Sequence, residues 1–236
     1  MKESRIARYR IPALLTPICI FIFASLFFFT VPTCGAYNET RITASDGTPN
    51  AYFGQAVATG AKMIVVGAPY ADSNKGAVYV YQYDGAAWVE TKLSGKDTGM
   101  VQFGHSVAVS GNIIVVGAPY GNSRKGAIYI YRYNGLNWEE TRITAGDGAE
   151  RDCFGYSVTI SGKTVVVGAP YAASDKGKAY VYQYDGLNWT ETKLTASDGA
   201  QGDHFGYSVA ISGNLVVVQA PHSKLNKGAI YIYSPE

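Results

Sequence analysis

The feature that most constrains the fold of this chain is a fourfold internal repeat with a period of about 50 residues. The dipeptide Phe-Gly recurs at Phe53, Phe103, Phe154 and Phe205, and a proline follows each Phe at a constant distance. Three of these prolines end a Gly-Ala-Pro triplet, and the fourth follows Gln219-Ala220. A repeat of this length is typical of a β-propeller blade and too long for most helical repeats.

Within each unit the hydrophobic pattern has the period of a β-strand. In the second unit, residues 103–110, 113–119 and 126–133 predict strands A, B and C, and the polar residues 138–144 predict an outer strand D. Residues 120–125 predict a loop, and Asn134-Gly135 predicts a hairpin turn. The sequence therefore predicts an all-β fold, a β-propeller of four four-stranded blades.

The two ends of the repeat region complement each other. The fourth unit stops after strand C, and residues 38–47 match the D strand and turn at residues 190–199. We expect residues 39–44 to pair as the N-terminal outer strand that completes the last blade, formed by residues 205–233. Such pairing would close the ring and remove two exposed sheet edges.

Residues 1–36 have the order of a secretory signal. Basic residues precede the uncharged run 11–30, and small residues follow it up to Ala36. The run is also long enough to span a bilayer, so this leader helix is a signal peptide or an N-terminal membrane anchor. We expect residues 37–236 to be the propeller domain, secreted or held at the cell surface. Cys153 is the one cysteine of that domain, which excludes a disulfide within it.

Charge gives no argument for a nucleic-acid partner. The formal net charge of +2 comes from the leader, which holds Lys2, Arg5, Arg8 and Arg10 against Glu3. The propeller region is close to neutral, and charged residues make up only 16% of the chain. We expect no nucleic-acid partner, and contact with a membrane only through an uncleaved leader.

The pattern Phe-Gly-x-Ser-Val, then Val-Gly-Ala-Pro and Gly-Ala-x-Tyr-x-Tyr, resembles the FG-GAP repeat of integrin α-subunit β-propellers. It is most similar to the secreted bacterial and archaeal members, and the resemblance covers residues 38–236. It implies a propeller, but the family has many functions. Integrin propellers have seven blades, so four blades imply either a small closed ring or two chains that combine toward eight, as a homodimer.

The resemblance also raises calcium, which integrin propellers often bind in an acidic A–B loop. Such a site needs several oxygen ligands. The A–B turns here, exemplified by Ser110-Gly111-Asn112, contain no carboxylate. We therefore expect no cofactor, and calcium stays an unsupported alternative.

No catalytic motif stands out in the repeat region, which contains no nucleophile elbow, HExxH or CxxC pattern. We predict a non-enzymatic protein that binds a protein or glycan at the cell surface, in the manner of an adhesin. One alternative is a propeller-scaffold hydrolase or lyase, with Asp152 and Asp203 as candidates. The other alternative is an architectural protein of the cell envelope.

Ligand-binding residues are expected on the face that carries the D–A and B–C connections. These connections are longer and more variable than the A–B and C–D turns, and variable loops on a repetitive frame are common binding sites. The candidates that open the B–C loops are Tyr70, Tyr120, Tyr171 and His222. The candidates that follow strand D are Asp46, Asp97, Asp147 and Asp198, which also have the sequence of simple turns.

Overall fold

The computed structural model describes residues 38–96 and 99–235, and residues 42–236 form one compact unit. The predicted leader, residues 1–36, lies outside the described residues. Residues 38–41 have no regular secondary structure. Within the described part of the chain, no helix has both the length and the apolar character needed to cross a membrane.

The described residues form four antiparallel sheets, one for each repeat. Blade 1 contains β1 (Ala56–Gly60), β2 (Met63–Ala68), β3 (Ala77–Tyr83) and β4 (Trp88–Leu93). Blade 2 contains β5 (Ser106–Ser110), β6 (Ile113–Ala118), β7 (Ala127–Tyr133) and β8 (Trp138–Ile143). Blade 3 contains β9 (Ser157–Ser161), β10 (Thr164–Ala169), β11 (Lys178–Tyr184) and β12 (Trp189–Leu194). Blade 4 contains β13 (Val209–Ser212), β14 (Leu215–Ala220) and β15 (Ala229–Tyr233). The predicted all-β propeller of four blades is confirmed.

Each B–C connection is a single helical turn, which the sequence predicted only as a loop. The turns are α1 (Ala71–Asn74), α2 (Gly121–Arg124), α3 (Ala172–Asp175) and α4 (Ser223–Asn226). Three consecutive residues in each turn have positive φ, for example Asp72, Ser73 and Asn74 with φ of 51°, 60° and 68°. The left-handed conformation costs roughly 1–2 kcal/mol per residue. Carbonyl groups of these turns accept hydrogen bonds from the next blade, as from Gln102 N to Asn74 O (3.1 Å).

Successive blades pack face to face, with their A strands side by side. At the first junction Val78 and Val80 of blade 1 lie in one buried cluster with Phe103, Tyr129 and Tyr131 of blade 2. The Phe103 ring meets both tyrosine rings edge-on, at centroid distances of 5.1 and 6.1 Å. The same arrangement recurs at the second and third junctions. The recurring strand C tyrosines are therefore the packing layer between neighbouring blades.

The repeated glycines are required by a close backbone approach at each junction. A Cβ on Gly117, the Gly of the second Gly-Ala-Pro, would overlap the carbonyl oxygen of Gly155 in the next blade. Gly67 meets Gly104 in the same way, and Gly168 meets Gly206. A side chain at these positions would hold the two sheets apart.

Blade 4 departs from the repeat at this position, where Gln219 replaces glycine. The face of blade 4 that carries Gln219 is not covered by another blade within the described residues. Ile230 and Ile232 of this face are 65% and 64% exposed, whereas their counterparts Ile128 and Ile130 in blade 2 are buried. Glutamine is accommodated because, in the part of the chain that the structure describes, no backbone of another blade approaches this face.

The expected pairing of residues 39–44 with the last blade is wrong. Residues 38–44 form no strand, and the sheet of blade 4 contains only β13, β14 and β15. Ile42 and Ala44 instead pack against the core of blade 1. The Tyr81 hydroxyl donates to the carbonyl of Thr43 (3.3 Å), as the Tyr233 hydroxyl does to Thr195 in blade 4 (2.9 Å).

Residues 42–44 resemble the end of a D strand because they make the same contacts. Both segments pack on the strand C tyrosines of the blade that follows them in the chain. Docking on blade 1 does not bring residues 42–44 to β15, because β1 and β13 are not among the strand pairs in close contact within the described residues.

We predict that Gly117→Ala destabilises the protein by about 1–3 kcal/mol, because the added methyl group forces the second and third blades apart. Gln219→Ala, at the equivalent position of blade 4, should change the free energy of unfolding by no more than about 0.5 kcal/mol. Urea unfolding of both variants measures the difference. Equal losses for the two variants would show that the close approach is not what requires glycine.

Candidate functional site

The D–A and B–C connections lie on one face of the propeller, as predicted. Backbone hydrogen bonds join them within a blade, as from Tyr120 N to Val101 O (3.4 Å), and between blades, as from Cys153 N to Arg124 O (2.8 Å). We call this surface the loop face. Its residues are 47–55, 70–76, 99–105, 120–126, 148–156, 171–177, 199–207 and 222–228. These bonds make the loop face a continuous framework.

A contiguous series of aromatic rings runs along the loop face from blade 2 to blade 4. We call it the aromatic row; its members are His105, Tyr120, Tyr156, Tyr171, His204, Tyr207 and His222. Ring centroids of neighbouring members lie 4.7–5.9 Å apart, as in His105–Tyr156 at 4.9 Å and Tyr171–His204 at 5.1 Å. Each ring therefore touches the next, across two blade junctions.

Three of the four predicted B–C residues, Tyr120, Tyr171 and His222, belong to the aromatic row. The fourth, Tyr70, instead contacts Tyr52 at a centroid distance of 4.9 Å, and its ring meets no member of the row. The sequence analysis missed the other members, which directly precede or follow a Phe-Gly dipeptide. The signal was available, because residues flanking Phe-Gly lie where the D–A connection enters strand A, on the predicted face.

The aromatic row is half-exposed. His105, Tyr120, Tyr156, Tyr171 and His204 are partly buried, whereas His222 is exposed and Tyr207 is 38% exposed. Each ring therefore has part of its surface against the protein and part of it open to solvent. Such a surface combines rigidity with apolar area available to a ligand.

Burial favours the neutral form of four rings in the row. Burial lowers the pKa of the His105 imidazole, and burial together with the neighbouring His222 lowers the pKa of His204. Burial raises the pKa of Tyr120 and of Tyr171. These four rings therefore present neutral faces.

His204 and His222 are joined by a hydrogen bond between their Nδ1 atoms at 2.7 Å. Such a bond requires one ring to donate and the other to accept, so it cannot persist when both imidazoles are protonated. His105 Nδ1 is buried without a hydrogen-bond partner among the described residues. The bond therefore requires that at least one imidazole of the pair is neutral, and the buried, unpartnered nitrogen disfavours a charged His105.

We predict that the free energy of unfolding falls as the pH decreases below about 6.5, the ordinary pKa of histidine. Below this pH the unfolded chain binds protons before the folded chain does, because the pKa of His105 and of His204 is lower in the folded state. The double variant His105→Gln, His204→Gln introduces the residues found at the equivalent positions Gln55 and Gln102. Urea unfolding at pH 7.5 and 5.5 should show a smaller loss for this variant; an equal loss would contradict the prediction.

A cavity of about 360 Å³ opens beside the row at the junction of blades 2 and 3. Its lining residues are Tyr120, Arg124, Arg151, Cys153, Tyr171 and Asp175. The Arg124 guanidinium lies over the Tyr120 ring, 5.6 Å from its centroid. Burial raises the pKa of the Cys153 thiol to about 11, so the thiol is protonated at neutral pH and is a poor nucleophile.

The predicted aspartates do not join the tyrosines of the row. Asp46, Asp147 and Asp198 accept hydrogen bonds from the strand C hydroxyls of Tyr79, Tyr180 and Tyr231, at 2.6–2.7 Å. Asp147 also forms ion pairs with Lys178 and Lys193, both at 2.9 Å. Burial alone would raise the pKa of Asp147, but these hydrogen bonds hold it below its ordinary value. Asp97 lies outside the described residues.

Within residues 38–96 and 99–235, no group of three or more His, Cys, Asp or Glu side chains is placed to hold a metal ion. The A–B turns are short and contain no carboxylate, as in Gly111 and Asn112.

We predict that the melting temperature is the same in about 1 mM EDTA and in about 1 mM calcium chloride, a calcium concentration that would fill even weak extracellular calcium sites. A midpoint that falls by several degrees in chelator would reveal a calcium site.

Comparison with known proteins supports the same fold. A family model of the FG-GAP repeat matches residues 37–81, 88–131, 138–182 and 189–233. Each match from the second onward begins with the D strand of one blade and ends in strand C of the next, so the repeat unit of the family includes the link that docks on each blade. No curated protein matches the chain.

Among solved structures, the chain is similar to the crystal structure of the NanB sialidase from Streptococcus pneumoniae, with 14% sequence identity and a TM-score of 0.44. The similarity covers 71% of this chain and 27% of the sialidase, so the chain spans about a quarter of that enzyme's length. This similarity carries no argument about activity. The four family matches together span most of the chain, which belongs to the FG-GAP repeat family.

Proposed function

We propose that this protein is an exported, non-enzymatic propeller that binds a protein or glycan ligand at the cell surface through its loop face. The observation that carries the proposal is the aromatic row, a half-exposed series of contiguous rings that spans two blade junctions. Aromatic surfaces of this kind provide large contact areas at low conformational cost, because two torsion angles fix each side chain. Export is inferred from the leader sequence at residues 1–36.

The framework beneath the row supports a binding role. Phe103, Phe154 and Phe205 are fully buried. Members of the row lie beside each of them in the sequence: His105 after Phe103, Tyr156 after Phe154, and His204 and Tyr207 on either side of Phe205. Backbone hydrogen bonds such as Phe154 N to Lys125 O (3.0 Å) fix these connections to the preceding blade. The row is thus held in one arrangement before a ligand arrives, which reduces the entropy lost on binding.

The side chains near the row give little support for catalysis. Asp152 and Asp203, the acids considered for an enzyme, are buried and accept turn hydrogen bonds from Ala149 N (2.9 Å) and Ala200 N (2.8 Å). An acid that acts on a substrate needs an oxygen directed at the reacting group. Both aspartates are engaged in equivalent turns of successive blades, which favours a structural role for each.

We predict that Tyr120→Ala and Tyr171→Ala each weaken ligand binding at least about tenfold, a loss of about 1.4 kcal/mol, because each removes a central ring of the row. The measurement is binding of the purified propeller to an array of glycans and to intact cell surfaces, followed by titration of the best ligand. Tyr133→Ala is the matched control, since Tyr133 lies at the opposite end of strand C, against Trp138 (5.1 Å between ring centroids).

The same experiment separates the alternatives. If all three variants bind the ligand as tightly as the wild-type protein does, the binding site does not include the aromatic row of the loop face. Sustained turnover of a polysaccharide would establish an enzyme, and self-assembly without any ligand would establish an architectural protein. A homodimer stays a prediction, which the mass of the protein in solution tests.

A further inference from the structure

The junction of blades 2 and 3 differs from the other two junctions in two arginines at left-handed backbone positions. Arg124 ends the turn α2 with φ of 63°, and Arg151 lies in the D–A connection of blade 3 with φ of 69°. At the position of Arg124 the other blades have Asn74, Asp175 and Asn226, all with positive φ. At the position of Arg151, blades 1 and 4 have Asn50 and Gly202, again with positive φ.

The backbone gives no reason for arginine at either position. Glycine adopts positive φ without steric cost, and Asn and Asp do so more readily than other residues because their short side chains form local hydrogen bonds. Arginine has neither property. Arginine is therefore not the residue that the backbone selects at these two positions, and what distinguishes this junction is the pair of guanidinium groups that the two side chains bring to it.

The fold brings the two arginines together. Arg151 N donates to Ser123 O (3.1 Å) and Cys153 N donates to Arg124 O (2.8 Å), so the two segments run side by side. Both arginines are exposed, and both line the cavity of about 360 Å³ between Tyr120 and Tyr171. Neither forms an ion pair within 4.0 Å of an acidic side chain among the described residues.

We propose that this cavity binds the anionic group of an acidic saccharide, a carboxylate or a sulfate, between Arg124 and Arg151. This inference rests on the proposed function, of which it names the ligand class. A guanidinium binds planar and tetrahedral oxyanions through paired N–H groups. The Tyr120 ring supports the Arg124 guanidinium from one side of the cavity. The Tyr171 ring on the other side provides a face for the sugar ring, and the Asp175 carboxylate accepts a hydrogen bond from a sugar hydroxyl.

The rest of the loop face favours a saccharide over an acidic peptide. From the cavity the aromatic row continues through Tyr156 and His204 to His222. An acidic peptide would require further cations along its length, whereas the row offers aromatic faces suited to successive sugar rings. One cationic subsite beside a row of aromatic rings fits an oligosaccharide that carries spaced anionic groups.

The test uses variants that give the junction the residues of the other blades, Arg124→Asn and Arg151→Gly. Each should weaken binding of hexagalacturonate or of a sulfated hexasaccharide at least about tenfold, the loss typical of one charge-assisted hydrogen bond. Each should also leave the melting temperature unchanged or raise it, because both introduce residues suited to positive φ. The matched control is Lys163→Asn, which removes one positive charge from an A–B turn and introduces the residue of Asn112 and Asn214.

Comparison of the two probes shows whether the anionic group is a carboxylate or a sulfate. Undiminished binding of both probes by the Arg124→Asn, Arg151→Gly double variant would overturn the inference, as would an equal loss in Lys163→Asn, which indicates nonspecific charge attraction. Equally tight binding of hexaglutamate would overturn the saccharide class in favour of an acidic peptide. If the wild-type protein binds neutral hexasaccharides but neither acidic probe, the inference fails while the proposed function stands. If it binds none of the four classes of probe or any cell surface, the proposed function fails as well.

Discussion

The close approach of two backbones at each blade junction is the constraint on which the rest of this structure depends. The Gly117 position lies so near the carbonyl of Gly155 that any side chain there would separate the blades. Only this spacing lets Phe154 pack edge-on against Tyr180 and Tyr182, at 5.3 and 6.0 Å, while its backbone pairs with the preceding blade. The Phe-Gly and Gly-Ala-Pro motifs are thus two halves of one contact. Each half is contributed by a different blade.

The same contact explains the unusual geometry of the loop face. The left-handed turns direct their carbonyls toward the next blade, where they accept hydrogen bonds that fix the D–A connection, as from His204 N to Asp175 O (3.0 Å). These bonds and the burial of the adjacent Phe offset the conformational cost of positive φ, and they place the residues beside each Phe-Gly on the surface. The aromatic row is therefore a consequence of how the blades are joined. A change in the junction would be expected to disturb the row as well.

Repetition and its exceptions carry different information in this chain. Residues that recur in all blades, such as Tyr129 and Tyr180, are buried and hold the blades together. Residues that occur in one blade, such as Arg124 and Arg151, lie on the surface where packing does not require them. Gln219 is a third kind of exception, since it replaces a glycine on a face that no other blade covers within the described residues. A repeat protein thus separates structural from functional positions more clearly than a single irregular domain does.

The sequence by itself determined the all-β class, the number of blades, the strand order and the face that carries the long loops, because period-two patterning and turn residues act locally and recur four times. It also placed Tyr120, Tyr171 and His222 on that face. It could not identify His204 or Tyr207 as their partners, since rings from different connections meet only after the blades stack. The prediction for residues 39–44 was wrong for the same reason. The similarity of this segment to a D strand indicates that it can dock on strand C tyrosines. The position of blade 4 relative to blade 1 then decides whether β15 is also within its reach. Only the tertiary structure fixes that position, because it is the sum of three junction geometries, none of which is encoded in any one repeat.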